Sequence, residues 1–225
     1  MGGNHLANFD IYLVRHGQTI LNKYHRIQGW IDAPLTEKGV ADAKAAGARL
    51  ADVAFTKAFT SDAPRAQRTA AHILAQNSGT VKTATINTAF REENFGYFEG
   101  NDDVQTWHMI GGPEGHNTFN DIITAYSIEK SKDMIHNLDP FKDAEDNATF
   151  WARLQPGFDD LITNCVDGDK VLITSHGTTI RSIVSRFNPA INIAVSAQNG
   201  SVTKLSVHGD AITVDYYNRV DAHLD

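Results

Sequence analysis

Two histidines in this sequence stand where a strand could deliver them to a ligand. The chain reads LVRHGQT through Arg15-His16-Gly17-Gln18-Thr19 and later ITSHGTT through Ser175-His176-Gly177-Thr178-Thr179. Each His follows an apolar, β-forming run, and each is followed by glycine. Such runs mark strands buried on both faces of a parallel sheet, and in open α/β sheets ligands bind beyond the carboxyl ends of the strands. If the two strands are neighbours, the imidazoles face one pocket. The glycines permit positive φ and let backbone N–H groups approach an anion closely. Arg15 adjoins the first His, and Arg65 opens a helix whose N-terminus adds its own positive end. Arginine offers phosphate a forked contact that lysine lacks. A nucleophilic imidazole between guanidiniums suits phosphoryl transfer, which depends on in-line positioning and on positive charge around the equatorial oxygens. A carboxylic acid must then protonate the leaving oxygen, and FREENFGYFEG offers Glu92, Glu93 and Glu99.

The elements that would position these groups alternate. FDIYLV (Phe9 to Val14) reads as the first buried strand. Thr36 can cap a helix over EKGVADAKAAGARLAD that ends before Val53. KAFTSD (Lys57 to Asp62) is a short strand, and a helix starting near Pro64 stops at Asn77-Ser78-Gly79. VKTATIN is another short strand. NATFWARLQPGFDDLITNCV is helical, with Pro156-Gly157 expected to kink it or to start it. KVLITS (Lys170 to Ser175) is the second strongly apolar strand, TTIRSIVSRF the helix after it, and SVTKLSVHGDAITVDYY a hairpin turning at His208-Gly209-Asp210. The alternation predicts an α/β fold, a three-layer α/β/α sandwich with a mostly parallel sheet and an antiparallel edge. The stretch 101–147 is more polar and weakly helical. It carries Trp107, Phe119, Ile122, Ile123, Tyr126 and Ile135, which a disordered linker would lack. We read it as a helical cap inserted into one domain over residues 1–225.

The 225 residues are 41% hydrophobic with a net charge of -7, enough for one substantial core. The acidic balance disfavours nucleic acid and anionic membranes as partners but allows a local positive pocket for a small anion. The single Cys165 lies in LITNCV and reads as a buried structural thiol. The opening residues lack a signal-peptide core, MGGNHL is a poor myristoylation match, and no apolar run nears the roughly 18 residues that span a bilayer. Cytoplasmic localisation is therefore expected. Oligomeric state stays open, a homodimer being one compatible form.

RHGQT-x-x-N, IQGW-x-D-x-PLT-x-x-G, TSDAPRAQRTA, E-x-x-FG-x-x-EG and SHGTTIR follow one another in an order and spacing that resembles the histidine phosphatase superfamily, the phosphoglycerate-mutase-like fold. The resemblance runs from about Ile11 to Val207, with 101–147 matched only in kind. It implies that His16 becomes phosphohistidine, that Arg15 and Arg65 clamp the phosphoryl group, and that His176 hydrogen-bonds it. It further implies Glu92 as the acid, Asn22 as a phosphate contact, Gln28 and Gly29 as the border of the substrate, and Gly177 with the Thr178 backbone as an N–H donor. Neither metal nor cofactor is implied. His16 must then be neutral at its attacking nitrogen, which neighbouring arginines favour. Glu92 must be protonated when the ester breaks, which asks for a raised pKa. Glu99 is expected to order the EG turn. Arg68, Arg181 and Arg186 read as structural or solvated, as do His5, His72, His136, His208 and His223. His25, His108 and His116 carry no assigned role.

Mutases of the superfamily typically read E-R-x-Y-G after the acid and carry further cap arginines. Here Glu92 is followed by Glu93-Asn94-Phe95, and 101–147 holds no Arg, only Lys130, Lys132 and Lys142. That departure favours a phosphomonoester hydrolase acting on a small phosphorylated metabolite. Trp107, His108 and His116 in a cap with few cations suggest a modestly charged leaving group, such as a sugar or nucleoside. The alternatives are a phosphoglycerate-mutase-type isomerase, a non-catalytic phosphate-binding module that kept the pocket, and a metal hydrolase. No H-E-x-x-H or comparable ligand spacing supports the last.

Overall fold

A computed structural model describes residues 7–221. His5, His223 and the N-terminal motif lie outside them. One six-stranded sheet has the order β3-β2-β4-β1-β5-β6, with β1 (Asn8–Arg15), β2 (Lys57–Thr60), β3 (Thr85–Ile86), β4 (Lys170–Ser175), β5 (Val202–His208) and β6 (Ala211–Arg219). Strands β3, β2, β4 and β1 run parallel, whereas β5 and β6 are antiparallel. The expected fold class is therefore the observed one.

The strands are apolar on both sides because both sides are covered. Phe9, Ile11 and Leu13 of β1 join Val171 and Ile173 in a core with Phe150, Leu154 and Phe158 of α7 (Asn147–Asn164) and Ile180 and Ile183 of α8 (Gly177–Phe187). Alternate residues Tyr12 and Val14 pack with Leu172 against Ala46 of α2 (Glu37–Arg49) and Ile73 and Leu74 of α3 (Pro64–Leu74). A period of two along one strand thus makes two helical layers. Four residues, Ile20–Lys23, form α1. The insert folds as α4 (Asp103–Gly111), α5 (Phe119–Ala125) and α6 (Ile128–Leu138), and its own cluster of Trp107, Ile110, Ile122 and Ile135 is closed by Ile27, Phe95 and Phe98.

Two expectations need correction. Pro156 neither starts nor divides a helix, since α7 continues through it. The adjoining Gly157 is needed for close approach, because a Cβ there would stand 2.8 Å from the Ala89 side chain. The strand in VKTATIN shrinks to Thr85–Ile86, both exposed at the sheet edge. Cys165 is buried and free, and burial pushes its thiol up to about 11.

Candidate active site

Parallel pairing of β1 with β4 puts Arg15 opposite Ser175. The next residues, His16 and His176, therefore leave the sheet side by side, with ring centroids 5.2 Å apart. Both are buried, at 3% and 0% exposure. His16 Nδ1 lies 2.8 Å from the Gly17 carbonyl, so the ring carries its proton on Nδ1 and keeps a lone pair on Nε2. Arg65 Nε donates to that Nε2 at 3.3 Å. His176 Nε2 donates to Ser61 Oγ at 2.7 Å, and its Nδ1 accepts from Arg65 Nη2 at 3.2 Å. Both imidazoles are held well below their ordinary pKa, first by burial and then by the neighbouring positive charge of Arg65. They are neutral at pH 7, and Nε2 of His16 is free of a proton.

Arg65 is fully buried in the first turn of α3, where Pro64 sets the entry. Its guanidinium also reaches the carbonyls of Ile31 and Gly29 at 2.8 and 2.6 Å, and pairs with Asp32 at 3.0 Å. Glu99 holds that segment by accepting the backbone N–H groups of Gly29, Trp30 and Ile31, so its carboxylate orders a distant loop, which is not the role at the EG turn expected of it. Arg15 donates to the Ala197 carbonyl, and Gly177 packs against its guanidinium, 3.3 Å from an added Cβ.

Glu92 is buried at 6% exposure. One carboxylate oxygen accepts the Thr178 N–H at 3.0 Å, and the other accepts both the N–H and the hydroxyl of Thr179 at 2.9 Å. The Thr178 N–H therefore goes to the carboxylate, not to an open anion site as expected. Burial raises the carboxyl of the adjacent Glu93 well above its usual range, opposed mainly by Lys132. Both Glu93 oxygens lack a hydrogen-bond partner, and Glu93 faces inward, away from the cavity.

Arg15, Asn22, Gln28, Glu92, Gly177 and Thr178 line one cavity of about 150 Å³. Asn22 caps α1 together with Thr19, and Asn199 links it to the His16 carbonyl. Gln28 accepts the Thr19 hydroxyl at 2.6 Å, while its amide nitrogen has no partner. Gly29 lines a smaller cavity on the far side of Glu92, with Trp30, Arg91 and His176. All ten candidate residues thus surround one centre. Ser61, Asp32, Asn199 and Arg181 escaped the reading of the sequence as site residues. Ser61 and Asp32 stood inside the quoted TSD and IQGWID motifs, which was the available signal. Arg181, read as structural or solvated, is buried and lines the same cavity. His108 and His116 do not: the first bonds Asn117, and the second packs edge-on to Tyr126.

The model of the histidine phosphatase superfamily (branch 1) matches residues 11–220. The chain belongs to that superfamily. Within it, the chain is 30% identical over 177 residues to the 2,3-bisphosphoglycerate-dependent phosphoglycerate mutase of Methylocella silvestris, covering 77% of this chain and 79% of that protein. The crystal structure of phosphoglycerate mutase from Bacillus anthracis superposes with a TM-score of 0.88 at 32% identity, covering 97% and 96% of the two chains. YhfR of Bacillus stearothermophilus superposes at 0.72 with 25% identity over 95% and 98%. The superfamily's enzymes transfer phosphoryl groups, and the site described has the parts for it. Among the described residues no helix is long and apolar enough to cross a membrane.

Proposed function

We propose that the chain hydrolyses a small phosphomonoester through a phosphohistidine on His16. The observation that carries this reading is the neutral His16, its Nδ1–H tied to Gly17 and its Nε2 lone pair aimed at the guanidinium of Arg65. A phosphoryl group entering there takes over the Arg65 N–H groups now given to the two imidazoles, and Arg15 closes on it from the other side. Nε2 bonds to phosphorus as the ester P–O bond breaks, and positive charge around the equatorial oxygens lowers the barrier. Glu92 supplies the leaving oxygen with a proton and later takes one from the water that cleaves the N–P bond. Loading Glu92 for the first step means loosening the Thr178 and Thr179 bonds that hold it as an acceptor.

A second reading is isomerisation, in which the phosphoryl group returns to another oxygen of the substrate. The names of the relatives in Methylocella and Bacillus favour it. Against it, position 93 carries a glutamate turned into the interior toward Lys132, where the mutase pattern has an arginine gripping substrate. Incubation with 32P-labelled 3-phosphoglycerate and a panel of phosphomonoesters, quenched in alkaline detergent so that the N–P bond survives and then tested for loss of label in acid, separates the readings. Acid-labile label on wild type and none on His16→Ala supports the common step, and free phosphate as product supports hydrolysis. Efficient 2,3-isomerisation without phosphate release would establish the mutase reading instead, and label surviving in His16→Ala would remove both.

A further inference from the structure

A cavity of about 440 Å³ lies between α2 and the loop 196–199, and phosphoryl transfer on His16 makes no use of it. It shares only Arg15 and Ser196 with the 150 Å³ cavity that holds Glu92. Three cations, Arg15, Lys38 and Arg49, line it against one acid, Asp42. That acid is already engaged: one oxygen pairs with Lys38 at 2.8 Å, and the other accepts the Gln18 N–H at 3.2 Å. Arg49 donates to the carbonyls of Val220 and Gly200, and Arg15 to that of Ala197. Carbonyls satisfy donors but leave the charge, and Nε of each arginine is buried without a partner. Burial pushes both guanidiniums below their ordinary pKa, offset in part by Glu92 near Arg15 and by Asp221 and Asp42 near Arg49. A bound anion would compensate cations placed in this way.

The loop that walls this cavity is tied to the nucleophile. The Gly200 N–H donates to the Arg15 carbonyl at 2.9 Å, and Asn199 donates to the His16 carbonyl at 2.9 Å. Gly200 has a positive φ of 73°, and a Cβ there would stand 2.7 Å from the Asp42 carbonyl oxygen. The loop therefore sits directly on α2. Guanidiniums from two elements, with an ammonium beside them, can make forked contacts to several oxygens of one group.

We infer that the cavity on α2 is an effector site for a tetrahedral dianion of the phosphate or sulfate type, and that its occupation inhibits phosphoryl transfer through Arg15. The inhibition rests on the assignment of Arg15 to the phosphoryl group; the binding does not. One guanidinium lines two cavities. An anion on the α2 side takes up donors and field that a phosphoryl group on the other side needs. Each anion weakens the other's binding by the same factor, because such coupling is reciprocal. Arg15 also meets the charge on the equatorial oxygens as the ester breaks, so the effect falls on kcat and not on KM alone.

Sulfate is the probe, titrated by calorimetry at constant ionic strength and tested in parallel as an inhibitor of p-nitrophenyl phosphate hydrolysis. Wild type is expected to bind a sulfate that Arg49→Gln weakens about tenfold or more, a loss within the usual range for one coupled charge contact. Arg49 also ties α2 to Val220 and Gly200, so thermal melting accompanies that variant. Ala45→Glu, at an exposed position of α2 in the lining, sets a carboxylate in the cavity without removing those bonds and is expected to abolish the same binding. Saturating sulfate is expected to lower kcat of wild type about five- to twentyfold, the lower part of the range for coupled sites. In both variants sulfate is expected to raise KM alone, through the catalytic cavity. Sulfate binding that both variants leave within about twofold of wild type overturns the inference, as does inhibition of wild type confined to KM. Should Arg49→Gln not fold, Ala45→Glu decides by the same criteria. Should p-nitrophenyl phosphate not be turned over while the sulfate site is present, the hydrolase reading alone falls, and the coupling is read from vanadate affinity. Sulfate must then weaken vanadate binding more in wild type than in Ala45→Glu, and an equal loss overturns the inference.

Discussion

Removing one oxygen atom from Ser61 should damage this protein more than removing the same atom from Ser182. Both serines are fully buried. Ser61 Oγ accepts from His176 Nε2 at 2.7 Å, whereas Ser182 Oγ has no partner. In Ser61→Ala the His176 N–H is left buried and unpaired, a cost of about 1–3 kcal/mol. For a chain of this size about 2 kcal/mol lowers the melting temperature by roughly 4–8 °C. Ser182→Ala deletes a group that was already unsatisfied, and its melting temperature should stay within about 2 °C of wild type or rise. The chemistry should change as well. Ser61 fixes the His176 proton on Nε2; without it the proton is free to move to Nδ1, which faces the Arg65 N–H at 3.2 Å. A misplaced imidazole is expected to lower kcat about 10–100-fold, of the order seen for small misplacements of catalytic groups. The assays are differential scanning fluorimetry, phosphate release and 15N-resolved histidine NMR for the tautomer. If Ser61→Ala and Ser182→Ala melt together, or the His176 tautomer is unchanged, the account of this hydrogen bond is wrong.

Other expectations follow from the same geometry. His16 and His176 are both held below the ordinary imidazole pKa, so the unfolded chain takes up two protons near pH 6.5 that the folded chain refuses. Stability should therefore be complete above that pH and fall on acidification, by up to about 1.4 kcal/mol per pH unit for each imidazole. Urea midpoints measured from pH 7.5 to 5 check it, with His176→Asn expected to halve the slope. Lys132→Met strips the buried Glu93 of the cation that opposes its desolvation and should cost about 3 kcal/mol, while Glu93→Gln/Lys132→Met should return to within about 1 kcal/mol of wild type; denaturation of the four proteins completes the cycle. Gly17→Ala would set a Cβ 2.0 Å from the Gly39 carbonyl oxygen. Backbone must then move, with a loss of at least about 2 kcal/mol visible as a lowered melting temperature.

Much of this was legible in the residues because the needed signals were local. The two apolar runs before His16 and His176 reported a strand covered on both faces, and Thr36 and Pro64 marked real helix starts. What failed was decided at a distance. Pro156 reads as a kink or a helix start; the helix does not start there, since α7 runs through it with Gly157 packed against Ala89. Arg181 looked like an ordinary helix arginine, since nothing in TTIRSIV says that Ile193, Ala194 and Asn120 will hold its head inside a cavity. Ser61 and Asp32 carry no signal of a task in the sequence, because a hydroxyl or carboxylate acquires one only when a partner from another element arrives. The Thr178 N–H reads as a donor at the phosphate site, yet Glu92, from a loop more than eighty positions earlier, accepts it.

The place of β1 within the sheet has a further consequence. Its two neighbours, β4 and β5, both come from the far end of the chain: Asp10 pairs with Lys170, and Asn8 with His208. During translation this strand must wait, apolar on both faces and with both edges open, until nearly the whole polypeptide has emerged. Such late closure makes for slow assembly and an interval of vulnerability to aggregation. The candidate site accordingly has no half-built form, and a nascent chain shorter than β4 lacks the His176 that stands beside His16.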